Sequence, residues 1–204
     1  NDAGADGVLG NSTAAVILGG AGGATGTLYY AGVSAGSTRK FTMAAGGGGT
    51  LHVANGRAAL ALSGVIDGAG SLAKSGAGTL ILAGANTWSG DTIVNSGVLT
   101  LSGGGTLGST AGALAVPGGI LDLGGKSVTK GIVTVSGGTI RSGTLNGAAY
   151  DGRSGEVSAV LAGTAALTKT TAGVLVLSGT NTYSGATTIE EGTVVVPAGA
   201  SGAN

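Results

Sequence analysis

The chain has 204 residues, of which 46 are glycine and 2 proline, with no cysteine, six aromatic residues and a formal net charge of zero. Leu, Ile, Val and Phe make up 23% of it, above the roughly 20% below which chains stay disordered, and the high net charge that accompanies disorder is absent, so the chain is expected to fold. Its nine basic residues, Arg39, Lys40, Arg57, Lys74, Lys126, Lys130, Arg141, Arg153 and Lys169, are scattered, which leaves no basic stripe for phosphates and excludes nucleic acid as an expected partner.

No apolar run approaches the roughly 20 residues needed to cross a bilayer as a helix, and Asn1-Asp2-Ala3-Gly4 lacks the charged and apolar regions of a signal peptide. The chain is therefore expected not to span a membrane. Starting at Asn1 without Met, it reads as an excised piece of a longer polypeptide. The missing cysteine fits either chance in an Ala/Gly/Ser/Thr-rich composition or passage through an oxidising compartment while unfolded.

In chain order, apolar and small residues alternate over short runs that break at Gly, Asn or Ser: 14–18, 27–30, 50–53, 58–62, 79–82, 98–101, 113–116, 120–123, 132–135, 157–161, 174–177 and 193–196. A period of two predicts strands. No stretch holds a helical period for three turns, and each glycine would cost a helix about 1 kcal/mol relative to alanine; almost no helix is expected. The corners 45–49, 103–105 and 118–119 are glycine-rich and lack the Asn-Gly or Asp-Gly hairpin pairs found at places such as 55–56, 146–147 and 151–152, which disfavours an antiparallel meander.

The stretch from Ser63 to Leu101 is repeated without a gap from Ser158 to Val196, a constant offset of 95. Adding coils to a stack absorbs such a duplication, whereas a closed barrel or sandwich would have to be rebuilt. The expected fold is all-β, a right-handed parallel β-helix. At about 22 residues per coil and about 4.8 Å between coils it would make roughly nine coils and a rod about 40 Å long. Leu80, Leu82, Leu175 and Leu177 would lie in stacked aliphatic ladders. One domain over 1–204 is expected, built of two modules at about 9–101 and 107–196.

The repeated motif is Leu72-x-Lys74-x-Gly76-Ala77-Gly78-Thr79-Leu80-x-Leu82-x-Gly84-x-Asn86-Thr87-Trp88-Ser89-Gly90, followed by Thr92-Ile93-Val94-Asn95-Ser96-Gly97-Val98. Its second copy keeps Leu167, Lys169, Gly173, Leu175, Leu177, Gly179, Asn181, Gly185 and Gly192, with Thr171 for Gly76 and Tyr183 for Trp88. This ordered series closely resembles the passenger-associated transport repeat, also called the autotransporter-associated β-strand repeat. Residues 9–14 and 107–111 look like openings of the same modules. The resemblance implies a secreted or surface-exposed passenger of a Gram-negative autotransporter: a structural stalk whose repeats assist export through an outer-membrane β-barrel of the same polypeptide. An adhesin or glycan-binding module, with a host-surface or glycan ligand, is the alternative, and a β-helical polysaccharide-degrading enzyme a more distant one. Coil-by-coil stacking outside the cell would bias the direction of export. Asn86 and Asn181 are expected to hold an Asx-type or left-handed turn before the aromatic residue.

Other chemistry finds little support. Gly103-Gly104-Gly105-Thr106-Leu107-Gly108 satisfies G-x-G-x-x-G, but the run after it ends at Pro117, too soon for the helix that would receive a pyrophosphate. Before Gly124-Gly125-Lys126-Ser127, the glycine a phosphate loop needs is replaced by Ile120. His52, between Leu51 and Val53 in a strand, is expected to face solvent, and one histidine without cysteine does not make a typical zinc site. Asp67, Asp91 and Asp122 do not recur at the repeat offset. Neither a catalytic residue nor a cofactor or metal site is expected. The most polar stretch, Tyr150, Asp151, Arg153 and Glu156, reads as a solvated insertion loop and the one candidate binding loop.

Overall fold

The computed structural model describes residues 13–198. Residues 9–12, part of the expected opening of the first module, lie outside that range. The chain winds into a parallel β-solenoid of about nine turns; among the described residues there is no α-helix, and the helical element is a single 3-10 turn, Ala21–Gly23. Alternation dictates the winding: the aliphatic side of each short strand turns inward, and the small residues after it carry the chain round to the next face.

Three faces result. The first starts as the sheet Val16–Leu18, Phe41–Met43 and Ile66–Gly68. It continues through irregular segments, where Thr87 N–H donates to Ile66 O and Ser109 N–H to Trp88 O, and resumes in the opening of Ser127–Arg141, the opening of Thr144–Val157, and Val160–Ala162. The second face stacks Thr25–Tyr30, Gly48–Val53, Ser71–Ser75, Thr92–Val94 and Leu114–Val116. The third stacks Ala35–Ser37, Ala59–Leu62, Thr79–Leu82, Val98–Leu101 and Ile120–Asp122. Both then run on through the long strands and through Leu167–Leu177 and Thr187–Val195.

Coil length varies about the expected 22. Val16 pairs with Phe41, 25 residues on, whereas Thr144 pairs with Val160, only 16 on. The long coils spend residues on turns such as 19–24 and 31–34. The short ones turn their corners inside a continuous strand, with register shifts at Val135/Ser136 and Ser136/Thr139 absorbing the bend. Strands as short as Phe41–Met43 and Ile66–Gly68 escape a period-two reading because three residues show no period.

The inner columns take one residue per coil and are mostly aliphatic. On the third face Leu60, Leu80, Leu99, Leu121, Ile140, Val157 and Leu177 are consecutive ladder partners, all buried. Leu82 and Leu175 are buried as expected. At about 25 cal/mol per Å² of apolar surface, such columns supply the main stabilisation.

Two expectations are corrected. Residues 157–161 do not form one strand; Val157 ends one and Val160 begins the next. Tyr150, Asp151, Arg153 and Glu156 are not an insertion loop, because they lie within the strand Thr144–Val157. Tyr150 points inward at 4% exposure, its hydroxyl donating to Leu145 O or Ala162 O, both at 2.7 Å, and accepting from Gly147 N–H. Asp151 and Arg153 point outward and pair with each other at 2.8 Å. The stretch is polar because it alternates on an exposed face, and polarity alone does not separate that case from a loop.

Candidate functional site

The repeat motif is where the structure departs most from ordinary solenoid packing. In Ser71–Ser75 alternate residues enter the core, which puts Leu72 and then Lys74 inside; Leu167 and Lys169 repeat this. Lys74 takes a column position whose neighbours above and below are Leu51 and Val94. Lys74 and Lys169 are 0% exposed and Lys130 is 1% exposed.

Among the described residues no carboxylate meets these ammonium groups in a salt bridge. Lys74 Nζ donates to Ser75 O at 2.8 Å, Gly76 O at 2.9 Å and Ser96 O at 3.0 Å. Lys169 Nζ donates to Thr171 O and, at 3.1 Å, to Glu191 O. The acceptors match at the repeat offset: one oxygen two residues on, one 22 residues on in the following coil. Each lysine thus stitches its own corner to the next. Lys130 works backwards, donating to Leu107 O at 3.0 Å and Ser109 O at 2.8 Å in the preceding coil. Burial pulls the Lys74 ammonium from 10.5 down to about 8. Burial does the same to Lys130, opposed by the Asp91 carboxylate. The carbonyl dipoles favour the charged form that burial disfavours.

Glycine is required where the ammonium arrives. Gly97 and Gly192 have φ of +65° and +77°, and a Cβ there would lie 2.8 Å and 2.7 Å from Lys74 Nζ and Lys169 Nζ. Gly84 and Gly179 press on the preceding coil, where a Cβ would come within 2.5 Å of Gly64 O and 2.2 Å of Ala159 O. Gly78, Gly90, Gly173 and Gly185 occupy comparable close approaches. At the Gly76/Thr171 exchange, Gly76 turns a corner at φ +77°, whereas Thr171 lies within the continuous strand Leu167–Leu177.

The asparagines do not close their own turns, contrary to expectation. Asn86 Oδ1 accepts from Ile66 N–H at 2.9 Å in the coil before, and Nδ2 donates to Thr106 O at 3.0 Å in the coil after. Asn181 Oδ1 likewise accepts from Leu161 N–H at 2.9 Å. Neither asparagine has a positive φ, and an extended backbone frees the amide to span three coils. Trp88 is fully buried. Its counterpart Tyr183 is half-buried, tilts against Tyr150 at 5.9 Å and shares a 2.7 Å hydrogen bond with Thr187 Oγ1.

Elsewhere, His52 stacks on Tyr29 at 4.6 Å and bonds Ser75 Oγ at 3.0 Å through Nδ1, on the outer surface as expected. Between residues 105–110 and 126–129 no backbone hydrogen bond closes the first face among the described residues. A cleft of about 210 Å³ opens there, lined by Thr106, Leu107, Thr110, Ser127, Val128 and Thr129.

Comparison with known proteins agrees with this geometry. The family model for the passenger-associated transport repeat matches residues 72–101 and 167–196, the two segments that hold the clamps. Over 73 residues, 36% of this chain, the sequence is 48% identical to the adhesin BmaC autotransporter of Brucella suis biovar 1 (strain 1330). The chain spans about 2% of that protein's length. No solved structure matches the chain. Two passenger-associated transport repeats thus clamp this β-solenoid, and what the chain is similar to is a segment of a secreted or cell-surface autotransporter passenger of a Gram-negative bacterium.

Proposed function

We propose that this segment is a structural stalk whose repeats assist export across the outer membrane by folding coil by coil. The observation that carries the reading is the shared offset of the clamps: in both copies the lysine reaches 22 residues forward, and Asn86 reaches 20 residues to either side. A coil emerging from a pore closes on the one before, removes apolar surface from water and gains backbone and clamp bonds, so retreat is uphill. The β-barrel of the same polypeptide is the partner in this step. We read the two modules, about 9–101 and 107–196, as units of that stacking, the clamped halves after Ser63 and Ser158 being the active parts.

The segment works without catalysis on this reading. Among the described residues no three acidic or histidine side chains gather as a metal-binding group would, and Asp151 is ion-paired to Arg153 while Glu156 reaches Ser178 Oγ at 3.5 Å. A second reading, a surface module that holds a host or glycan ligand, draws on the name of the Brucella relative and on the hydroxyl-lined cleft at Thr106 and Thr129.

The test is deletion of residues 63–101 from the parent passenger, with surface passenger counted per cell. Export reduced, with any distal activity per molecule intact, supports the stalk. Normal export together with loss of adhesion moves the assignment to the binding module.

A further inference from the structure

Three of the five lysines in the chain are buried with backbone carbonyls as their acceptors. Packing alone does not call for lysine there, since Leu51, Val94 and Ile189 occupy the ladder positions next to Lys74 and Lys169. The aliphatic columns, for their part, are poor at fixing register. Leu80 and Leu82 lie on Leu99 and Leu101, and a slip by two residues would set Leu80 on Leu101, apolar still on apolar and inward still inward. Only a one-residue slip reverses the faces.

We propose that the buried lysines are register keys: each fixes the stacking of one coil on the next by accepting a single alignment of carbonyl oxygens. In register, Lys74 finds Ser96 O and Lys169 finds Glu191 O. After a two-residue slip that oxygen lies about 6.6 Å along the strand, and the ammonium stays in an aliphatic column without it. It keeps the oxygens of its own corner, Ser75 O and Gly76 O for Lys74 and Thr171 O for Lys169, but a buried ammonium short of one acceptor carries the desolvation cost of the N–H left unpaired. Lysine thus discriminates between alignments that leucine would treat alike, the role that a lone buried asparagine plays in coiled-coil register. Lys130 serves where the first face lacks its backbone ladder and alignment is otherwise least determined.

The key acts in the folding of the chain itself, so its test runs on the purified 204-residue protein and its failure would leave the export reading standing. The chain has no cysteine, which permits clean disulfide reporters. Thr79→Cys with Val98→Cys reports the native register, in which the two residues are direct partners. Thr79→Cys with Thr100→Cys reports the two-residue slip; in the native state its Cα atoms are about 8 Å apart, beyond the roughly 7 Å that a disulfide spans. Each pair is refolded from denaturant under oxidising conditions and the disulfide yield is read by peptide mapping, with Lys74 or Lys74→Met. The expected result is a several-fold rise in the slipped disulfide with Lys74→Met, while molecules in native register melt at an unchanged or higher temperature. A slipped disulfide that stays at the parent level overturns the proposal, as does a lower melting temperature without slippage, which would make the lysine a plain staple. Lys169→Met with Val174→Cys and either Thr193→Cys for native register or Val195→Cys for the slip repeats the measurement in the second copy, and decides it should Lys74→Met not fold.

Discussion

The two repeats share a sequence pattern and a clamp, yet among the described residues two or more coils follow the first and none covers the last strand of the second. The strand after the first clamp, Thr92–Val94, lies under Leu114–Val116, and Val94 and Leu101 are 0% and 2% exposed. The equivalent strand of the second copy, Thr187–Val195, has no described coil on it, and Ile189 and Val196 are 54% and 49% exposed. The backbone register is nevertheless the same, Leu72 on Thr92 and Leu167 on Thr187, and Lys169 is as buried as Lys74. Clamp and ladder are therefore complete once one further coil has closed, and side-chain burial follows with the coil after that. On the export reading proposed above, this separation lets each coil be clamped before the next one covers it.

Breaking the core should expose this difference most strongly. Leu80→Asp puts an unpaired charge between covered coils and is expected to cost about 3–5 kcal/mol; Leu175→Asp, with one coil above it, should cost less. Thermal melting of both variants checks the order, and equal losses would show that the uncovered copy depends on its core as heavily as the covered one does. Asn86→Ala orphans backbone groups in two coils, at about 1–3 kcal/mol each, whereas Asn181→Ala removes the bond to Leu161 N–H. Denaturant midpoints should show the first loss near twice the second.

The pH dependence sharpens the role of the lysines. For Lys74 and Lys130 the folded value lies near 8 and the unfolded one at 10.5, so between those limits the unfolded chain binds more protons and stability rises with pH. Below pH 8 the burial penalty is present in full. Lys74→Met should flatten part of that rise when melting is followed from about pH 7.5 to 10.5. The smallest effect belongs to Asp151, Arg153 and Glu156: replacing all three with alanine should change stability by less than about 1 kcal/mol, because exposed ion pairs contribute little, and should leave surface passenger per cell near normal.

The architecture was legible because glycine-bounded alternation is a direct record of a parallel coil: 79–82 and 98–101 coincide with the observed strands. The clamp was harder to see. Lysine is almost always solvated, and that expectation masks the position of Lys74 two residues after Leu72, on the core side of its strand. The signal was the spacing itself, repeated at Lys169. Asn86 was misread because asparagine before an aromatic residue usually closes its own turn, and a chain without coordinates does not reveal that the next coil passes within reach. At 127–141 glycines read as interruptions, whereas the backbone runs through them as one strand.

The gap in the first face between residues 105–110 and 126–129 bears on how the rod carries load. On the other two faces hydrogen bonds cross this level without interruption, Leu114 pairing with Val133 and Ile120 with Thr139. Lys130 is the strut on the third side. A rod bonded on two sides and strutted on the third is anisotropic: it resists bending that compresses the gap and yields to bending that opens it. Flexure of the solenoid is therefore expected to concentrate at this level and in this direction, where one face is held by side chains and the other two by backbone ladders.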